Sequence, residues 1–292
     1  LEKYFKIIID GYYGYWDYLT SEILYPSWHN YFYWLIGLSV FVFALEVIVP
    51  WRKSQPIFRK DFWLDVFYMF FNFFLFSLIL YNALSNVFVE LFNDFLGIFG
   101  ITNLVALEIN SWPIWGQFLL MLVLADFIQW NVHRMLHRVP WLWEFHKVHH
   151  SVEQMGFAAH LRYHWMETIV YKSVQYLPLA MIGFGLDDFF ILHIFTIAIG
   201  HLNHANLKIT YGPFKYILNN PIMHTWHHVK HLPSDRPHGV NYGITLSLWD
   251  YLFGTAYIPH DGENEALGFD KVEEFPQTFW SQITYPWLKK KA

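Results

Sequence analysis

Four apolar stretches, at about residues 30–50, 62–92, 113–132 and 168–206, limit this chain more than any other feature. An α-helix needs about 20 such residues to cross a hydrocarbon core of ~30 Å, and in lipid every backbone polar group must be satisfied within the segment. The first stretch carries only Glu46 near its end, and the second is Phe-rich with Asp65 near its start and Asn72 inside. The fourth is too long for one span. Gly183, Gly185, Asp187 and Asp188 break it near its middle, which predicts a helical hairpin. With 55% hydrophobic, 22% aromatic and 15% charged residues, a soluble core explains the chain poorly. The expectation is an all-α, polytopic integral-membrane protein.

Lys and Arg set the orientation, because short cytoplasmic loops are enriched in them. Arg52, Lys53, Arg59 and Lys60 fill the first connection, whereas residues 93–112 hold Asp94 and Glu108 but no basic residue. The 52–61 loop is therefore expected inside, the 93–112 loop outside, and everything from His133 onward inside again. Three units follow: 1–27, an interfacial or outer-face segment; 28–132, three transmembrane helices; and 133–292, a region holding nearly all the histidines, the hairpin and a C-terminal cytosolic cap.

Absent cysteine excludes disulfides, iron–sulfur clusters and thiolate zinc sites, so a metal here takes nitrogen or oxygen ligands. A net charge of -5 and a pI near 6.4 give no basic field, and nucleic acid is excluded as a partner. The opening Leu1–Glu2 lacks a signal peptide's basic start, and targeting at that end stays unread. Lys289–Lys291 could pass for a dilysine retrieval signal, though a short basic tail is the commoner explanation.

Sixteen of the 17 histidines lie between His133 and His260. In HRMLH, His133 and His137 stand at i, i+4, and Asp126 and Gln129 continue their stripe up the third span. HKVHH sets His146, His149 and His150 at i, i+3, i+4, and HTWHH repeats this with His224, His227 and His228. Crowded imidazoles repel when protonated and lose solvation when neutral; a cation that takes neutral nitrogens as ligands removes both costs. Eight or more donors exceed what one metal needs, so two metals are expected. His201 and His204 add a further pair at the end of the hairpin's second arm. His193, on nearly the same face but mid-membrane, suits a polar or substrate-lining role.

From Asp126 to Tyr257 the chain resembles the fatty acid hydroxylase superfamily, which includes sterol desaturases, sterol methyl oxidases and lipid hydroxylases. HRMLH, HKVHHS, RYHWME, HAN at His204, HTWHH and NYGITLSLWDYLFGT occur in that family's order. The resemblance implies a dinuclear iron centre held by His133, His137, His146, His149, His150, His204, His224, His227 and His228. His164 recurs in related patterns beside Arg162 and Glu167. Asn241, Trp249 and Asp250 match the closing signature, with Asp126 and Asp250 expected to orient ligand imidazoles. Some members space the third group HxxxH, which leaves ligation by His201 open; His160, His231 and His238 are additional here.

The implied chemistry is O2-dependent hydroxylation, or desaturation, of a lipid. Iron follows from the resemblance, since donor type alone suits zinc as well. With no dinucleotide loop or haem-attachment cysteine, electrons are expected from a separate ferredoxin or a cytochrome with its reductase. Trp130, Trp141, Trp143 and Trp226 lie beside the histidine groups and can wall the pocket. Two rivals are a membrane zinc hydrolase, which lacks HExxH here, and a metal transporter, whose sites belong along a midplane path.

Overall fold

The helices run where the apolar stretches allow and stop at proline, glycine and buried charge. The computed structural model describes residues 1–101, 109–184 and 188–288. Among these the chain is mostly helical, without strands beyond two isolated bridges, Leu218 with Leu246 and Val229 with Leu267. Glu108, Gly185, Asp187 and Lys289–Lys291 lie outside the described residues.

Helices α2 (Tyr31–Ile48) and Phe62–Ile98 are long and apolar enough to cross a membrane. The second exceeds its sequence prediction: α3 (Phe62–Phe70) passes through two π turns, Phe71–Leu75 and Ser77–Tyr81, into α4 (Asn82–Ile98). Its 37 residues reach roughly 55 Å at 1.5 Å each, nearly twice a ~30 Å core. The surplus turns pack against α1 (Glu2–Leu24), the segment expected at an interface. Lys3 pairs with Asp94 at one end and the Tyr12 hydroxyl donates to the Ile79 carbonyl at the other, so α1 and α4 run antiparallel.

The third stretch is α5 (Ile114–Arg138), and the fourth is the pair α7 (Trp165–Met181) and α8 (Asp188–His204), with Gly183 at φ +91° just past α7. Leu122, Leu179 and Leu192 interdigitate among these three helices. Val139 is extended, as a residue before proline must be, and Pro140 opens α6 (Pro140–His150) at a position where its missing N–H is not needed. That one break turns the chain and brings the last turns of α5 and α6, with their histidines, together.

The C-terminal part is largely irregular. Short helices α9 (Pro221–His227) and α10 (Leu248–Leu252) precede α11 (Phe279–Leu288), which packs on α6. Asn220 caps α9 by accepting from the Met223 amide at 3.1 Å. Gln282 of α11 is fully buried and accepts from the Tyr68 hydroxyl at 3.0 Å, which ties the cap to α3.

A buried ion network holds the two halves of the chain together. Arg162 donates to Asp61 and Asp65, each at 3.0 Å, and to Ser151 Oγ at 2.9 Å; Arg59 donates to the other oxygen of Asp65. Arg59 and Arg52, counted from sequence as loop charges, are both engaged: Arg52 donates to the carbonyls of Gly262 and Glu263. Removing one member of a buried pair strands the other, at a cost of about 3–5 kcal/mol. Asp65→Ala, which leaves both Arg59 and Arg162 short of a partner, is expected to lower stability by about that much. Thermal unfolding of the detergent-solubilised chain measures it; an unshifted transition would show that the network is dispensable.

Candidate metal centre

Nine histidines converge in two sets. His133, His137, His146, His150 and His227 form one and His149, His204, His224 and His228 the other, with the donor nitrogens of each set within 4.8 Å of one another. These are the nine principal candidates from sequence. The sets share a chamber: His150 stacks on His228 with centroids 4.4 Å apart. His133 and His137 enter the first set together, whereas the other two histidine boxes are divided. His146 and His150 of α6 enter the first set and His149 the second, while α9 sends His224 and His228 to the second and His227 to the first.

The outer face of the rings fixes which nitrogen points inward. His133 Nδ1 lies 2.7 Å from the Tyr242 carbonyl, His149 Nδ1 3.0 Å from Arg162 O, His204 Nδ1 2.8 Å from Gly200 O, and His227 Nδ1 2.8 Å from Val240 O. A carbonyl only accepts, so each Nδ1 carries the proton and each neutral ring turns the lone pair of Nε2 inward. Burial keeps the rings neutral, pushing His149 down to about 4 and His150, His224, His227 and His228 well below the usual histidine range.

Lone pairs then face each other. His149 Nε2 and His204 Nε2 are 3.3 Å apart with no proton between them, and His224 Nε2 adds a third donor 2.9 Å from His204 Nε2. In the first set His133 and His146 meet through Nε2 at 3.1 Å, as do His150 and His227. His137 Nε2 is buried without a hydrogen-bond partner. A cation in each set would satisfy this arrangement, and nitrogen donors suit iron, copper or zinc.

Glu167 is the carboxylate that reaches a clustered ring. Its Oε2 stands 2.8 Å from His146 Nδ1 and its Oε1 accepts from the His164 amide at 3.3 Å. Burial keeps the His146 ring neutral, so the contact is a hydrogen bond rather than an ion pair. Asp126 and Asp250, expected in this orienting role, reach no imidazole. Asp250 accepts from the amides of Tyr242 and Gly243 at 2.9 and 2.7 Å and from Trp130 Nε1 at 3.0 Å; Asp126 accepts from the amides of Thr245 and Leu246 and from Trp249 Nε1. Both hold the loop whose carbonyls hold the histidines. Asn241, at φ +53°, does the same for α9, donating to Met223 O and Tyr257 O. Gln129 lies half-buried on α5, one turn before His133.

Other histidines stay outside the two sets. His164 donates from Nε2 to Ile283 O at 2.9 Å and accepts at Nδ1 from the Met166 amide, which leaves no lone pair for a metal. His201 meets Ser39 Oγ at 3.2 Å and His160 Nδ1 at 3.0 Å. His193 lies 3.3 Å from the Tyr31 hydroxyl, and His231 and His238 are exposed. Of the tryptophans expected as walls, Trp143 stands against His137 and His150 with centroids 5.1 and 5.2 Å away. Trp130 and Trp226 are buried in packing and Trp141 is exposed. The carbonyls of Arg162, Gly200, Val240 and Tyr242 could not be found from sequence, since every residue has one.

A sequence model of the fatty acid hydroxylase family matches residues 118–255. The ornithine lipid hydroxylase OlsE of Rhizobium tropici is 32% identical over 62% of this chain and 53% of its own length. The alkylglycerol monooxygenase of Xenopus tropicalis is 32% identical over 51% of this chain and 31% of its own, and the human protein of that name is 32% identical over 49% and 30%. The chain thus spans about half or less of the curated relatives it matches. No solved structure matches it. Residues 118–255, which hold all nine clustered histidines, belong to the fatty acid hydroxylase family.

Proposed function

We propose that this chain is a membrane-bound, O2-dependent di-iron lipid hydroxylase. The observation that carries the reading is the pair of inward-facing Nε2 sets, five and four strong, inside a family segment shared with lipid-oxidising relatives. His133, His137, His146, His150 and His227 would hold one iron, and His149, His204, His224 and His228 the other. When bound, the iron pair supplies the two-electron reduction of dioxygen that oxidation of an unactivated C–H bond requires.

The chain's own contribution is positional. Carbonyl acceptors fix the tautomer of four rings, and Glu167 orients a fifth, the outer-partner device that tunes ligand basicity. Burial of the clustered rings keeps water from the site. Electrons come from a separate donor, a ferredoxin or a cytochrome with its reductase, because no carrier motif lies in this chain. The substrate is a membrane lipid with an acyl, alkyl or sterol chain; the same hydrogen abstraction followed by a second would desaturate it.

The multi-pass reading draws support from tryptophan at both ends of the bundle, as expected of membrane interfaces. Trp28, Trp112 and Trp115 are exposed where α2 and α5 begin, and Trp63, Trp141, Trp280 and Trp287 near the histidine end. Between them α2 exposes Val40, Phe41 and Val47, and α5 exposes Leu119 and Val123. The basic 52–60 connection lies on the histidine side, which makes that side cytoplasmic by the positive-inside rule.

Three results test this. The purified chain should carry two metal ions, and its turnover of a membrane lipid should stop without dioxygen or without reductant; hydrolytic activity under anoxia would defeat the reading. Glu167→Ala should lower metal affinity or turnover by about 10–100-fold, measured by chelator competition and product formation. Because the chain has no cysteine, single cysteines at Lys53 and Trp112 can report topology. An impermeant thiol reagent added outside intact cells should label Trp112→Cys and spare Lys53→Cys, and the reverse pattern would invert the assignment.

A further inference from the structure

Three helical i, i+4 histidine pairs in this chain each feed one set: 133 with 137, 146 with 150, and 224 with 228. His204 breaks the pattern, because four residues before it on α8 stands Gly200. The space a side chain at 200 would take is not empty. A Cβ built on Gly200 would overlap the imidazole of His160, a residue from the 3-10 turn Phe157–Leu161 that lies against α8. The His160 ring lies 5.3 Å from the His204 ring, at the edge of the second set and outside the four residues whose donor nitrogens gather within 4.8 Å. That set has four donors where the first has five.

We propose that His160 is the fifth donor of the second metal site, entering from a different element through the gap that Gly200 leaves. The inference rests on the two-metal reading and adds a ligand to it. Its outer side is held by a second imidazole where the other rings have a carbonyl or a carboxyl group. His160 Nδ1 meets His201 Nδ1 at 3.0 Å and His201 Nε2 meets Ser39 Oγ at 3.2 Å, so a buried polar chain from α2 steadies the ring. His201, not itself in either set, thereby acquires a role as the support of a ligand. The other atoms of the His160 ring, Nε2 among them, lie against Gly200. Glycine at 200 is then required by the close approach of the ring.

The test measures metal rather than turnover. The wild-type chain, loaded with iron or with cobalt as a probe, should bind two ions; one ion or none would overturn the two-metal reading itself. Given two, His160→Ala should release one ion at least tenfold more readily to a chelator and leave the other unchanged. Gly200→Ala, which removes no histidine but forces the His160 ring aside, should weaken the same ion. The double variant His160→Ala with Gly200→His, which rebuilds an i, i+4 pair on α8, should restore it. If His160→Ala does not fold, Gly200→Ala and the double variant decide. Unchanged release of both ions from Gly200→Ala, or from a folded His160→Ala, would overturn the assignment of His160 while leaving the two-metal reading intact.

Discussion

Two neutral imidazoles cannot share a proton that neither has. That constraint governs the structure: once Arg162 O and Gly200 O have claimed the Nδ1 protons of His149 and His204, two Nε2 lone pairs face each other at 3.3 Å in a buried space. Only something electron-poor can settle there. The cap, the loop held by Asp126 and Asp250, and the αL turn at Asn241 all serve to keep carbonyls on the outer side of the rings and so to keep the lone pairs inside.

Much of the site was legible because helical spacing is local. HRMLH, HKVHH and HTWHH put eight imidazoles on helix faces, and these eight together with His204 are the nine that gather. Their division between two sets was not read, though helix geometry contains it. At about 100° per residue, i and i+4 differ by about 40°, while adjacent residues differ by about 100°, which sends His149 and His150 to different sets. Asp126 and Asp250 show the opposite limit. Their burial and their position near histidines were foreseeable, but Asp126 meets amides and an indole 119 to 123 positions away, and Asp250 an indole 120 positions away, pairings that no local spacing announces.

The fold was read in the same measure. The apolar stretches became helices, and the Gly183 break lies where the hairpin was expected. The apolar stretch at about 62–92 already ran from α3 into α4; what it missed was the last turn or two, to Ile98, where Glu90 and Asp94 are answered by Lys3 from α1. Likewise Arg59 reads as a loop charge until Asp65 is seen to bury it.

Arg162 joins two jobs in one residue. Its carbonyl fixes the tautomer of His149, and its guanidinium is anchored on Asp61 and Asp65, which precede the family-matched segment by more than fifty positions. The family-matched segment is therefore tied to helices outside it. A boundary drawn at residue 118 would sever a proton's address from the anions that keep it, so the helices before that boundary are part of what holds the histidines in place.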